Sequence, residues 1–102
     1  MYYVTYRNVL RPRKTLDDYR RGLQHVWPTL QSWGALGVEM YQELYEESGS
    51  FYTRYTIDSL DRWNRHVTSD EFNQMLEHLE HVLDLSMSEV SVAVSISTGV
   101  DS

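Results

Sequence analysis

The sequence predicts one α+β domain, with four strands and two helical regions in the order β-α-β-β-α-β. Three observations carry that reading. Tyr-, Val- and Thr-rich segments of period two stand at both ends of the chain and in its middle. Two intervening stretches carry apolar residues at three- and four-residue steps, each opened by a helix-capping residue. The chain is 102 residues long, 41% hydrophobic and 24% charged, which fits a single core and argues against disorder.

Residues 2 to 10 form the first strand, closed off by Arg11-Pro12-Arg13-Lys14, where Pro12 cannot join a ladder. Thr15 then opens a helix: it is an N-cap type, Asp18 stands where a capping box needs its acceptor, and Asp17 and Asp18 favour the positive end of the dipole. Leu16, Tyr19, Leu23, Val26, Trp27, Leu30 and Trp33 make its apolar stripe, and Gly34 can take the left-handed conformation that ends it. Pro28 removes a backbone donor within the stripe, so a kink or break is expected between Gln24 and Pro28.

From Gly37 to Glu46 apolar and polar residues alternate as in a half-covered strand, and Glu47-Ser48-Gly49-Ser50 reads as the turn of a hairpin whose second strand is Phe51 to Ile57. Asp58 or Ser59 caps a short helix with Leu60, Trp63 and Val67 on one face. Ser69 or Asp70 starts a longer one with a stripe of Phe72, Met75, Leu76, Leu79, Val82 and Leu83. Val90 to Ile96 is the last strand, leaving residues 1 to 97 as one domain and 98 to 102 as a short tail. This order is the ferredoxin-like arrangement, an antiparallel four-stranded sheet with the helices on one face. Apolar or aromatic groups fall on both faces of the strands: Val4 and Tyr6 against Tyr3, and Phe51, Tyr55 and Ile57 against Tyr52. A two-layer domain leaves some of these rings in water, and such a patch marks a partner surface, so a homodimer joined sheet to sheet is expected.

Composition bounds the chemistry. The net charge of −6 is split between residues 1 to 34, with six Lys/Arg and two Asp/Glu, and the remainder, with three and thirteen. Net negative charge repels phosphate backbones, and Arg7, Arg11, Arg13 and Lys14 are too few to reverse it, so no nucleic-acid partner is expected. No apolar run approaches the roughly 18 residues of a membrane span, and the amino terminus lacks a signal-peptide pattern; a cytoplasmic protein without a membrane partner is the expectation. With no cysteine, disulfides, thiolate metal sites and Cys nucleophiles are excluded. His78 and His81 have a spacing that metal sites use, but both fall away from the apolar stripe with no third ligand set by sequence, and His25 reads as exposed; no metal site is expected.

The segment Trp63-Asn64-Arg65-His66-Val67-Thr68-Ser69-Asp70-Glu71-Phe72, set after the third strand, resembles a pattern of the dimeric α/β barrel superfamily. The nearest resemblance is to antibiotic biosynthesis monooxygenase-like domains. NIPSNAP-like domains come second, through Tyr55-Thr56-Ile57-Asp58-Ser59-Leu60-Asp61-Arg62-Trp63. The resemblance implies two ferredoxin-like subunits closing one barrel, a pocket between sheet and helices in each, and oxidation of aromatic molecules without metal or flavin, hence no cofactor. A haem-degrading branch uses an Asn on the first strand, which Asn8 matches, but His66 stands at its Trp position and Leu76 at its iron-ligating His. His78 would point about 200° away around the helix at roughly 100° per residue, so haem degradation is not expected.

Two residues are then catalytic candidates. His66 could serve as an acid–base group at the pocket mouth, or could fix a loop by hydrogen bonding. Asn8 could hold a dioxygen or carbonyl oxygen through its amide, or could cap a turn. Tyr6, Tyr41, Tyr45, Tyr52, Tyr55 and Trp63 supply flat rings with polar tips suited to a planar aromatic ligand, or to a core. Of these Tyr6, Tyr55 and Trp63 are the ligand-binding candidates, joined by Arg54, which could hold a carboxylate or phenolate or pair with Glu39 or Glu43 across the hairpin. Two function classes remain open on the residues alone: a cofactor-free oxygenase of a small apolar aromatic molecule, and a binding or structural dimer without turnover.

Overall fold

The computed structural model describes residues 1–44 and 50–100. Strand β1 (Tyr2–Val9) is followed by helix α1 (Leu16–Ser32), strands β2 (Ala35–Tyr41) and β3 (Ser50–Ile57), helices α2 (Leu60–Val67) and α3 (Asp70–Leu79), a 3-10 turn (Leu85–Met87) and strand β4 (Glu89–Val94). The sheet order is β2-β3-β1-β4 with every neighbouring pair antiparallel, which is the ferredoxin-like arrangement the element order predicts.

The β1–β3 register sets the two faces. Val4 lies opposite Tyr55, Tyr6 opposite Thr53 and Asn8 opposite Phe51, and directly paired residues share a face, so these six project together toward the helices. Against them pack Tyr19, Leu23, Val26 and Leu30 of α1, Trp63 of α2, and Met75 and Leu79 of α3. Trp33 closes this core, its ring centre 6.4 Å from that of Trp63 and 6.2 Å from that of Phe72.

The helix starts follow from local hydrogen bonding. At α1 the Thr15 hydroxyl accepts from the Asp18 N–H at 3.2 Å while the Asp18 carboxylate accepts from the Thr15 N–H at 2.9 Å, a complete capping box. Of the paired candidates for the later caps, Ser59 serves α2 and Ser69 serves α3, each accepting from the N–H three residues on. Gly34 has φ +105°, a conformation that L side chains rarely adopt, so glycine suits the point where α1 turns into β2.

Several elements differ from expectation in where they break, begin or end. α1 runs unbroken through Pro28, because Pro28 and Gln24 are both exposed and the carbonyl that loses its donor can turn to water. β2 starts two residues early, at Ala35, with a bulge between Ala35 and Gly37, and ends at Tyr41 rather than Glu46. Tyr45, Glu46 and most of the expected turn, residues 47 to 49, lie outside the described residues. α3 stops at Leu79, since Val82 to Asp84 are recruited by the end of β1: Arg11 N–H donates to the Val82 carbonyl and Asp84 N–H to that of Val9, both at 2.8 Å. β4 ends at Val94, short of Ile96.

The uncovered side of the sheet is more polar than the strand pattern implies. It carries Tyr3, Tyr41 and Tyr52, but also Thr5, Arg7, Glu39, Arg54 and Thr56. The more apolar exposed strip belongs to edge strand β4 and lies on its helix-facing side: Val90, Val92 and Val94 stand opposite Tyr6, Val4 and Tyr2, yet are 60%, 53% and 55% exposed. Among the described residues no helix is long and apolar enough to cross a membrane.

Replacing Thr15 with Ala removes the acceptor of the capping box. The expected loss is about 1 kcal/mol of folding stability, read as a lowered denaturant midpoint with an unchanged slope; an unaltered midpoint would show that the box contributes nothing.

Candidate functional site

Between the sheet and its helical cover lies a cavity of about 230 Å³. Its floor is Tyr6 and Asn8 of β1 and Tyr55 of β3. Its roof and walls include Tyr19 and Leu30 of α1, Trp63 of α2, and Phe72, Met75, Leu76 and Leu79 of α3. Ser88, Glu89 and Val90 complete the lining where the chain enters β4, and the exposure of Glu89 and Val90 marks this end as the mouth.

Polar groups gather on the floor. The Asn8 amide Nδ2 donates to Thr53 Oγ1 at 3.0 Å, and the Tyr19 hydroxyl lies 2.7 Å from the same oxygen. Thr53 is fully buried and Asn8 nearly so, and an amide or hydroxyl buried without a partner costs about 1–3 kcal/mol, so this trio is stable because its members satisfy one another. Asn8 also hydrogen-bonds with Tyr19, so its amide reaches the cavity as one member of this linked set. The Tyr6 and Tyr55 rings meet edge to face at 5.9 Å, and Tyr55 lies 5.6 Å from Trp63. At the mouth the Ser88 Oγ is buried and has no hydrogen-bond partner among the described residues.

Burial raises the pKa of all three cavity phenols, because the dry surroundings disfavour phenolate. For Tyr6, hydrogen bonding by Trp63 offsets part of the effect; for Tyr19, hydrogen bonds with Thr53, Tyr55 and Asn8 do the same; Tyr55 is pushed well above its ordinary value. The floor therefore presents neutral hydroxyl and amide groups. Glu89 reaches the lining at the mouth, but its pairing with Arg7 turns its carboxylate to the outer side of the sheet.

The six sequence candidates separate. Asn8, Tyr6, Tyr55 and Trp63 all line the cavity. His66 does not: its ring stacks flat on Trp33, centres 5.2 Å apart and planes 4° from parallel, and its carbonyl accepts from Ser69. The last turn of α2 aims it at the end of α1 rather than at the mouth. Arg54 sits on the other side of the sheet, since strand alternation turns it away from Thr53 and Tyr55. There it pairs with Glu39 at 3.0 Å and lies over the rings of Tyr3 and Tyr41, 4.8 and 5.3 Å from their centres. The Tyr41 hydroxyl and then Arg54 hold the Glu39 carboxyl below its ordinary range. Tyr41 and Tyr52 share that outer side, and Tyr45 lies outside the described residues. Tyr19 and Thr53 were not singled out by sequence: Tyr19 reads as one more member of the α1 stripe, although Thr53 does alternate in phase with Phe51 and Tyr55.

No family model and no curated protein matches the chain. Solved structures do. A cofactor-independent oxygenase from Streptomyces nogalater, SnoaB, superposes with a TM-score of 0.73 at 11% identity, covering 98% of this chain and 97% of its own. An antibiotic biosynthesis monooxygenase matches at 0.65 and 14% identity, over 95% of this chain and all of its own. A conserved protein from Methanosarcina mazei Go1 matches at 0.66 and 21% identity, over 90% and 89%. The chain has the fold of these proteins. Agreement over almost the whole length at so low an identity means that this antibiotic biosynthesis monooxygenase-like architecture is shared.

The buried phenols give an alkaline signature. Tyr6, Tyr19 and Tyr55 have folded pKa values above the unfolded 10.0, so the unfolded chain releases those protons first. Stability is then full below pH 10 and falls as pH rises through the folded values. Denaturant midpoints measured from pH 8 upward should be level and then drop beyond about pH 10, and less steeply in Tyr55→Phe; an identical decline in that variant would show that Tyr55 is not buried as described.

Proposed function

We propose that this protein is a cofactor-independent oxygenase acting on a small apolar aromatic molecule bound in the cavity. The observation that carries the reading is the cavity itself: mostly apolar walls, with neutral hydroxyl and amide groups gathered around its floor. The shared fold with SnoaB supports the reaction class. In such a reaction the substrate supplies the electrons. An activated ring CH2 loses a proton to give an enolate, the enolate carbon is oxidised by O2 to a hydroperoxide, and loss of water leaves a carbonyl, so that CH2 and O2 become C=O and H2O. The chain's part is to hold the enolate oxygen and exclude water. The Asn8 amide and the hydroxyls of Tyr6 and Tyr55 donate to the developing negative charge, Trp63 flanks the ring, and the Leu, Met and Phe roof keeps the medium dry. The register sets Glu89 opposite Arg7, so its carboxylate projects from the outer side of the sheet, and the proton passes to water at the mouth.

A second reading, ligand binding without turnover, is favoured by one observation: burial holds the three cavity phenols protonated, so none of them serves as the base. Oxygen uptake with a panel of phenols and fused-ring enols separates the two. Uptake is expected, falling about a hundredfold in Asn8→Ala, the loss typical of one oxyanion donor, and close to unchanged in His66→Ala. Tight binding of a panel member without uptake supports the second reading instead.

A homodimer completes the proposal. It is supported by the exposed Val90, Val92 and Val94 strip, by the aromatic groups on the outer side of the sheet, and by the buried Nε of Arg54, which has no partner among the described residues. Sedimentation at micromolar concentration should give close to twice 12.1 kDa; a 12.1 kDa particle rejects the dimer.

A further inference from the structure

On the outer side of the helical layer a groove between α1 and α3 is lined by His25, Val26 and Thr29 from one helix and by Glu71, Gln74, Met75 and His78 from the other. His78 and His81 have a metal-like spacing in the sequence, but the histidine that meets His78 comes from α1. The rings of His25 and His78 lie with centres 5.3 Å apart and planes inclined at 61°. Two imidazoles bound to one tetrahedral ion, each nitrogen about 2.0–2.1 Å from it, have ring centres about 5 Å apart. The observed spacing is therefore that of a chelating pair, reached by turning each ring about its soft terminal torsion. Both side chains are exposed, so the ion keeps access from solvent.

We infer that His25 and His78 form a two-imidazole site for a borderline divalent transition metal, Zn2+ or Ni2+, bridging α1 and α3. Imidazole nitrogen suits these ions and not Mg2+ or Ca2+, which prefer oxygen. Among the described residues no group of three His, Cys, Asp or Glu is close enough to hold an ion. Water accordingly fills the remaining positions and the metal exchanges freely. The consequence reaches the cavity, because Met75 lines both the groove and the cavity roof. An ion joining the two helices restrains the roof from its outer side.

The test uses the full chain without a histidine tag, Ni2+ and Zn2+ as probes, and thermal unfolding as the readout. Free metal about fivefold above its Kd should raise Tm by roughly 4–8 °C, saturably. His25→Gln and His78→Gln should each abolish the rise, while His81→Gln keeps it and sedimentation mass stays the same with and without metal. No saturable rise, a rise that survives both single variants, a rise lost in His81→Gln, or a metal-dependent gain in mass would each overturn the site. Because the readout is Tm, the outcome is independent of whether the cavity turns over a substrate.

Discussion

The antiparallel register between β1 and β3 is the constraint on which the rest depends. These are the two central strands, and their pairing brings Val4, Tyr6 and Asn8 onto one face with Phe51, Thr53 and Tyr55. A slip of β1 by one residue would exchange all of its side chains between faces. It would turn Tyr3, Thr5 and Arg7 under the helices, where an uncompensated charge costs several kcal/mol. It would also carry Asn8 into water and leave the Thr53 and Tyr19 hydroxyls in the core without its amide. The pairing that builds the core therefore also assembles the cavity floor, and no separate device is needed to bring those residues together.

The floor is dipolar rather than ionic. Asn8, Thr53 and Tyr19 are joined in a hydrogen-bonded set, and burial holds Tyr6, Tyr19 and Tyr55 in the protonated form. Fixed neutral donors in a medium of low polarity stabilise a charge that develops on a bound molecule more effectively than the same donors would in water, because they need not reorient. Arg54 would offer a stronger interaction with an anion, but it lies beyond the sheet and is already engaged by Glu39, Tyr3 and Tyr41.

The parts of the site that were legible in the sequence are those governed by short-range periodicity. Strand alternation groups Tyr6 with Asn8, and Trp63 follows from the stripe of the short helix, so four of the six candidates meet in the cavity. His66 and Arg54 went astray for different reasons. His66 neighbours Trp63 by only three residues, but its direction is decided by Trp33, a contact across 33 positions that no local pattern encodes. Arg54 lies between Thr53 and Tyr55 in sequence, and that adjacency is itself what sends it to the opposite face. Thr53 was in phase with the core but looked like an ordinary strand residue; its importance depends on Asn8 and Tyr19 arriving from 45 and 34 positions away. The fold was more legible than the site because capping residues and alternation act locally. The misplaced ends of β2 and α3 are set by a bulge and by hydrogen bonds from the end of β1.

Val90 ties the proposed assembly to the proposed chemistry. It lines the cavity mouth, and it is also the first member of the exposed valine strip on β4. A surface that covers this strip must pass over the mouth, so burial of the edge strand and closure of the cavity are one event rather than two. A domain of this size buries only roughly 60–65% of the surface its unfolded chain exposes and gains appreciably from any added apolar contact. The direction of that gain is informative. If a second copy seals the β4 edge, the dry environment needed for neutral donors to act on an oxyanion is completed by the same valines that stabilise the pair, and a lone subunit would hold a wetter, weaker version of the same floor.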